Sequence, residues 1–308
     1  MITTIKHENL TWTNLFSPSA EEVDNISKQY PIDPLIAEEL TSLTVRPKVD
    51  VYRDNLYLIL HFPFVSSIQQ SEMGCEIDFV IGENFLITVY YSPIQPLEKF
   101  IQNCKTRESF RKEYFEKHVS FLLVSILKEL YGTLLRRLDK TLIQINKTEQ
   151  KIFEGKEKEM VKALSFLKRD LLDFQVALYP HKDILDSMKE ICKKSHKKLF
   201  SNNFGHHLNN LIGEYDKIRN LIENSKETIE TLRQTNESLL STKTNEVMKI
   251  LTIMAFITFP LMLLSSIFGM NTTDTPVIGQ KGDFWIIALA MIVATVGMFA
   301  FFKKKKWL

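Results

Sequence analysis

The residues best placed to do chemistry are few, and most lie near the C-terminus. Gly269-Met270-Asn271 stands where a long apolar run stops. These types offer neutral oxygen acceptors and no nucleophile, so they suit holding a ligand rather than making bonds. Capping a helix C-terminus is their ordinary use, and the tripeptide alone should arise by chance in roughly two per cent of chains this long. Lys303, Lys304, Lys305 and Lys306 form a basic block suited to anionic headgroups. Asp274 and Asp283 are carboxylates that would raise the local cation concentration. His206-His207, near Glu214 and Asp216, has the residue types of a transition-metal site. Adjacent histidines point to different faces of a helix, however, which favours a solvated helix start. Cys75, Cys104 and Cys192 show no metal-ligand spacing; an odd, sparse set reads as ordinary thiols in a reducing compartment. No nucleophile–base set, phosphate loop or ATP motif is visible, so the chain reads as no enzyme and one without a cofactor. A net charge of +2 with 25% charged residues gives no global field for nucleic acid.

The elements that carry these residues follow from hydropathy. The uncharged runs Ile250 to Phe268 and Phe284 to Phe302 would each span roughly 28 Å as helix, the hydrocarbon thickness of a bilayer. Lys243 and Lys249 precede the first and four lysines follow the second, while the connecting segment holds Lys281 against Asp274 and Asp283. Positive residues stay inside, which places both termini in the cytoplasm and the loop outside the plasma (inner) membrane. Met1 to Leu10 lacks an apolar stretch of the signal-peptide kind. The expected divisions are 1–117, an α/β domain; 118–206, long helices; 207–268, a stalk helix continuing into the first span at 250–268; 269–283, the outer loop; 284–302, the second span; and 303–308, a basic tail. Ser19 with Glu22 has capping-box spacing, and Asp33-Pro34 reads as a cap with proline at the first helical position. Hairpins are expected around Asp54-Asn55 and Gly82-Glu83-Asn84, giving a small sheet with helices packed on it. Beyond His118 the period turns helical, with breaks at Gly155 and Asn202 to Gly205, hence two long helices before a third. On that third helix Leu208, Leu211, Tyr215, Ile218, Ile222, Ser225, Ile229, Leu232, Asn236 and Leu239 form a heptad seam, which predicts partners from other copies of the chain.

The stretch Thr244-Asn245-Glu246-Val247-Met248-Lys249-Ile250-Leu251-Thr252-Ile253, then Phe259-Pro260-Leu261, Gly269-Met270-Asn271 and the basic tail occur in one order. Together they resemble the CorA family of magnesium transporters; Arg46-Pro47-Lys48-Val49 and Tyr57-Leu58-Ile59-Leu60 add a looser likeness upstream. The resemblance implies a funnel-shaped homopentamer: an α/β cytoplasmic domain, a long stalk helix and two transmembrane helices, the first lining a pore. Mg2+ sheds water reluctantly and prefers octahedral oxygen geometry, so a selective entrance grips the hydrated ion. A ring of Asn271 oxygens and backbone carbonyls would do this, with Gly269 allowing a positive φ and Met270 shaping the turn. Asn245, Met248, Leu251, Ala255, Phe259, Met262 and Ser266 lie three or four apart and by resemblance face the pore; periodicity alone would equally allow packing on lipid or on the second helix. In a ring, Met248 and Leu251 would make an apolar collar that blocks a hydrated cation by dewetting. Phe259 and Met262 depart from the family's usual methionine and threonine, and Thr273 stands where many members place a carboxylate. The resemblance also gives Lys303 to Lys306 the role of a basic ring at the cytoplasmic mouth. Downhill entry of Mg2+ is expected, with Co2+ and Ni2+ as secondary substrates; a divalent ion gains about 4.6 kcal/mol per 100 mV of inside-negative potential. The nearest rival is a zinc transporter of the same superfamily, whose motif commonly carries Val or Ile at the Met270 position. A more distant one is a non-conducting membrane-anchored sensor. Family members often close on internal Mg2+ bridged by carboxylates; counted back from Asn245 without a gap, the matching positions here are the amides Gln234 and Asn210, with Glu230, Glu237 or Asp216 as the substitutes in another register.

Overall fold

The computed structural model describes residues 1–44, 46–64, 74–115, 117–194, 199–270, 277–279, 281–305 and 307. Two compact units result, residues 1–233 and 234–308. In the first, strands β1 (Ile2–His7), β2 (Leu10–Phe16), β3 (Lys48–Tyr52), β4 (Asn55–Phe62), β5 (Cys75–Ile81) and β6 (Phe85–Tyr90) form one sheet in the order β1-β2-β6-β5-β4-β3. Among the described residues only β2 and β6 pair in parallel. Both expected hairpins are present. The first turns one residue earlier than predicted: Tyr52 pairs with Asn55, and Arg53 takes the left-handed conformation with φ 50°. The β1–β2 hairpin was not expected, because Ile2–His7 alternates with threonine and lysine and shows no apolar run. It is held instead by tertiary pairing, with Trp12 fully buried and its ring N–H donating to Thr88 Oγ1 at 2.9 Å.

Helices α1 (Ala20–Gln29) and α2 (Pro34–Glu39) begin at the caps the sequence marks. Ser19 and Glu22 form the reciprocal capping box, and the Asp33 side chain accepts from Leu35 N. Val23, Ile26 and Ile36 pack on Tyr57, Ile59, Val80 and Ile87 of the sheet. By strand alternation Leu56, Leu58 and Leu60 face the other way, and they too are buried. The second face is covered by α3 (Gln95–Thr106), α4 (Glu108–Phe115), α5 (Val119–Phe153) and α6 (Glu157–Leu178); α7 (His181–Lys193) follows. The stretch expected to hold two long helices therefore holds three. Pro180 lacks an N–H to continue the ladder, and α6 ends at the residue before Tyr179-Pro180.

Helix α8 (Phe204–Phe268) carries the predicted seam, but its partners differ from the expectation. Leu208, Leu211, Tyr215, Ile218, Ile222, Ser225, Ile229 and Leu232 are all buried within a single chain. Tyr215 lies against Tyr131 of α5 and His181 of α7, while Lys168 and Gln175 of α6 pair with Glu230 and Lys226. Spacings of three and four are shared by coiled coils and by helices packed in their own domain, and here the chain's own α5–α7 fill the seam.

Two polar networks cross the first core. His181, fully buried, donates from Nε2 to the His61 carbonyl at 2.8 Å and accepts at Nδ1 from the Tyr131 hydroxyl at 2.7 Å. Beside it, Glu76 accepts from Thr44 N at 2.8 and 3.0 Å and contacts His61 Nε2 at 3.1 Å. Buried Asp78 accepts at Oδ2 from the hydroxyls of Tyr57 and Tyr91 at 3.5 and 3.4 Å.

Candidate functional site

The second unit contains the end of α8 and helix α9 (Asp283–Lys304). Among the described residues α8 and α9 are the two helices long and apolar enough to cross a membrane. Their packing defines the faces of the first span. Ile253 and Ile257 are buried, 3% and 8% exposed, against Phe302, with Leu261 and Met298 beside them. Asn245, Met248, Leu251, Phe259, Met262 and Ser266 are exposed, Phe259 and Met262 at 62% each, and Ala255 is half-buried. At 100° per residue this stripe centres roughly 170° from the Ile253–Ile257–Leu261 face. Packing on the second helix is thereby excluded for the stripe, which leaves lipid or further copies of the chain as its surroundings. The α9-facing residues were missed in the sequence, although their own spacing of four was there to find.

Pro260 sits inside α8 without ending it. It cannot donate to the Phe256 carbonyl, so one rung of the ladder is lost where Phe259 and Met262 lie. Thr252 and Thr258 turn their hydroxyls inward to Met248 O and Met254 O at 2.8 and 3.0 Å, which satisfies both in an apolar span.

At the end of α8, Gly269 N donates to Ser265 O at 3.0 Å and Met270 N to Ile267 O at 3.3 Å. Gly269 does not take the positive φ expected of it. Its need is steric: a Cβ would come within 3.1 Å of Ser265 O and 3.6 Å of Ser266 O. Met270 is exposed. Asn271 and Asp274 lie outside the described residues, as does Lys306. Asp283 opens α9, accepting from Gly279 N at 3.1 Å and Phe284 N at 2.7 Å after Gly282 at φ 93°. Its carboxylate thus orders the turn into the second span. Lys303 and Lys304 fill the last turn of α9 and Lys305 caps it, beside Trp307 stacked on Phe302 at 5.9 Å. That arrangement of cations and an indole fits the headgroup level of a bilayer.

The other candidates do not converge. His206 meets Asn210 Nδ2 at 3.4 Å, whereas His207 turns onto the Phe121 ring. Among the described residues no cluster of three His, Cys, Asp or Glu could hold a metal ion. Asn210 and Gln234 are both exposed on α8.

Known proteins share this architecture. A Thermotoga maritima protein described as a cobalt/magnesium transport protein CorA is 25% identical over 304 residues, covering 97% of this chain and 83% of its own length. A relative of the same description from Methanocaldococcus jannaschii is 24% identical, with coverage of 97% and 92%. The complete structure of the CorA magnesium transporter from Methanocaldococcus jannaschii superposes with a TM-score of 0.81 at 22% identity, over 99% of this chain and 94% of that one. The family model described as CorA-like Mg2+ transporter protein matches residues 7–304, from the first strand to the last turn of α9, and the chain belongs to that family.

Proposed function

We propose that this chain forms a homopentameric channel admitting Mg2+ to the cytoplasm down its electrochemical gradient, with Co2+ and Ni2+ as lesser substrates. One observation carries the reading: the stripe from Asn245 to Ser266 is exposed on the face of α8 opposite the one that α9 covers. A ring of such chains, α8 inside and α9 outside, encloses that stripe and turns it into a pore wall. Gly269-Met270-Asn271 then lies at the outer mouth, with Asp274 and Asp283 nearby and Lys303 to Lys306 at the cytoplasmic rim. Asn271 amide oxygens accept from the ion's water shell without stripping it, which suits an ion that dehydrates reluctantly. Met248 and Leu251 form the collar, and Phe259 and Met262 narrow the middle. The motif's Met270 supports Mg2+ over zinc.

The test is uptake into liposomes containing a Mg2+-sensitive dye, with protein whose native mass in detergent shows one ring size. Wild-type protein should fill the vesicles under an inside-negative potential. Asn271→Ala should lower uptake at low Mg2+ by roughly a hundredfold or more, about 2.7 kcal/mol, while leaving the ring intact. Wild-type uptake by that variant would put the selectivity ring elsewhere, and no uptake by either would favour the sensor.

A further inference from the structure

The first unit holds a cavity of about 890 Å³ between α3, α4, α5 and the first turns of α8. That volume is in the range of small-molecule sites. One wall is aromatic. Phe100, Phe110 and Tyr114 pack within 4.8 to 5.3 Å of one another, and Phe121 stacks on Tyr114 at 6.3 Å. The rim is basic. Lys128 is matched by Glu214 at 3.8 Å and Arg136 by Glu129 at 3.0 Å. Lys99, Arg107 and Lys217 also line the cavity, against the single remaining carboxylate of Glu113, and make no ion pair among the described residues.

The floor carries a third feature. Gly132 lies in the middle of α5, where glycine disfavours a helix. A Cβ built there would meet only the far end of Arg136, at 3.6 Å, so the missing side chain leaves space rather than relieving a clash. An aromatic wall whose rings stand 55 to 69° to one another, unmatched cations at the rim and an opened floor describe a site for a ligand with a π-face and several negative charges.

We propose that this cavity binds a nucleoside phosphate, its base on the Phe100–Phe110–Tyr114 wall and its phosphates on Arg107, Lys99 and Lys217. Bases of any kind stack on aromatic rings. Arginine forks onto phosphate oxygens, and lysine supplies a point charge beside it. No glycine-rich phosphate loop takes part; the charges come from α3, the α3–α4 junction and α8. Because Lys217 belongs to α8, an occupant ties that helix to α3. The site does not depend on which ion the spans conduct.

Calorimetric titration of the full-length oligomer in detergent, in divalent-free buffer, tests this with ATP, and with adenosine and tripolyphosphate as its two halves. ATP should bind saturably at one per chain, each half weaker by roughly tenfold or more. Arg107→Gln combined with Lys217→Gln should weaken ATP by roughly tenfold at least. Gly132→Leu, which fills the floor, should remove binding, while Gly132→Ala keeps it. Absence of saturable ATP binding up to about 10 mM overturns the proposal. So does tripolyphosphate binding as tightly as ATP, or a Gly132→Leu oligomer that binds like wild type. Should Gly132→Leu fail to assemble, the half-ligand comparison and the exposed Arg107 and Lys217 variants decide.

Discussion

Two buried titratable side chains give the first unit opposite responses to pH. Burial drives the His181 imidazole down to about 3, against the backbone hydrogen bond to His61, which favours the cation. In the unfolded chain the same ring takes a proton near its ordinary value of about 6.5. The neutral ring's contribution is therefore complete above that pH and is lost as pH falls toward the folded value. Thermal midpoints of the solubilised protein should drop between about pH 7 and pH 5, His181 supplying up to about 1.4 kcal/mol per pH unit. His181→Gln should flatten that slope; an unchanged slope would assign the acid sensitivity to other groups. Asp78 runs the other way. Burial first, and the neighbouring Glu76 charge second, raise its carboxyl well above the ordinary carboxylate range. Its contribution is present below the ordinary value and fades as pH rises through the raised one. Asp78→Asn keeps acceptors for Tyr57 and Tyr91 while removing a charge that the core disfavours, and should raise the midpoint near neutral pH by about 1 kcal/mol in stability. A lower midpoint would show that the ionised carboxylate is needed. Neither residue could be singled out in the sequence, because strand and helix periodicity marks a face and not the layer that later covers it.

At the scale of elements, the membrane pair was legible because two long uncharged runs have few other uses, and the hairpins because turn residues separate β-rich runs. The β1–β2 hairpin was hidden, since its order comes from β6, more than seventy residues downstream. The α8 seam was visible, but its partner was not: Leu208 to Leu232 meet α5–α7 of the same chain, a choice that spacing alone leaves open. The stripe proposed to face the pore could be named only through family resemblance, and the opposite face was overlooked. The collar makes a direct test of that stripe. Met248→Asp or Leu251→Asp places a charge in what should be a dry ring, so the reconstituted channel should leak by roughly tenfold more at rest. Equal or lower flux, with the protein properly inserted, would move the gate away from these residues.

At the scale of the whole molecule, regulation is the open property. The amides Gln234 and Asn210 stand on α8 at the positions where the family resemblance implies carboxylates, counted in the register of the Asn245 stretch. An amide oxygen still accepts from a hydrated ion, but it brings no charge to hold Mg2+ and none to repel a neighbour when the ion leaves. Internal Mg2+ in the millimolar range should consequently inhibit flux only weakly, and Gln234→Asp with Asn210→Asp should deepen the inhibition. Strong wild-type inhibition that the double substitution leaves unchanged would sink this idea. The two-faced first span carries a further consequence, for how such chains diverge. The side chains that join α8 to α9, Ile253, Ile257 and Leu261 with Phe302 and Met298, share no member with the stripe from Asn245 to Ser266. A replacement in the stripe removes no side chain from the α8–α9 contact. A lineage can therefore exchange methionine for Phe259, or threonine for Met262, and wander in throughput while the joined pair of spans keeps its geometry.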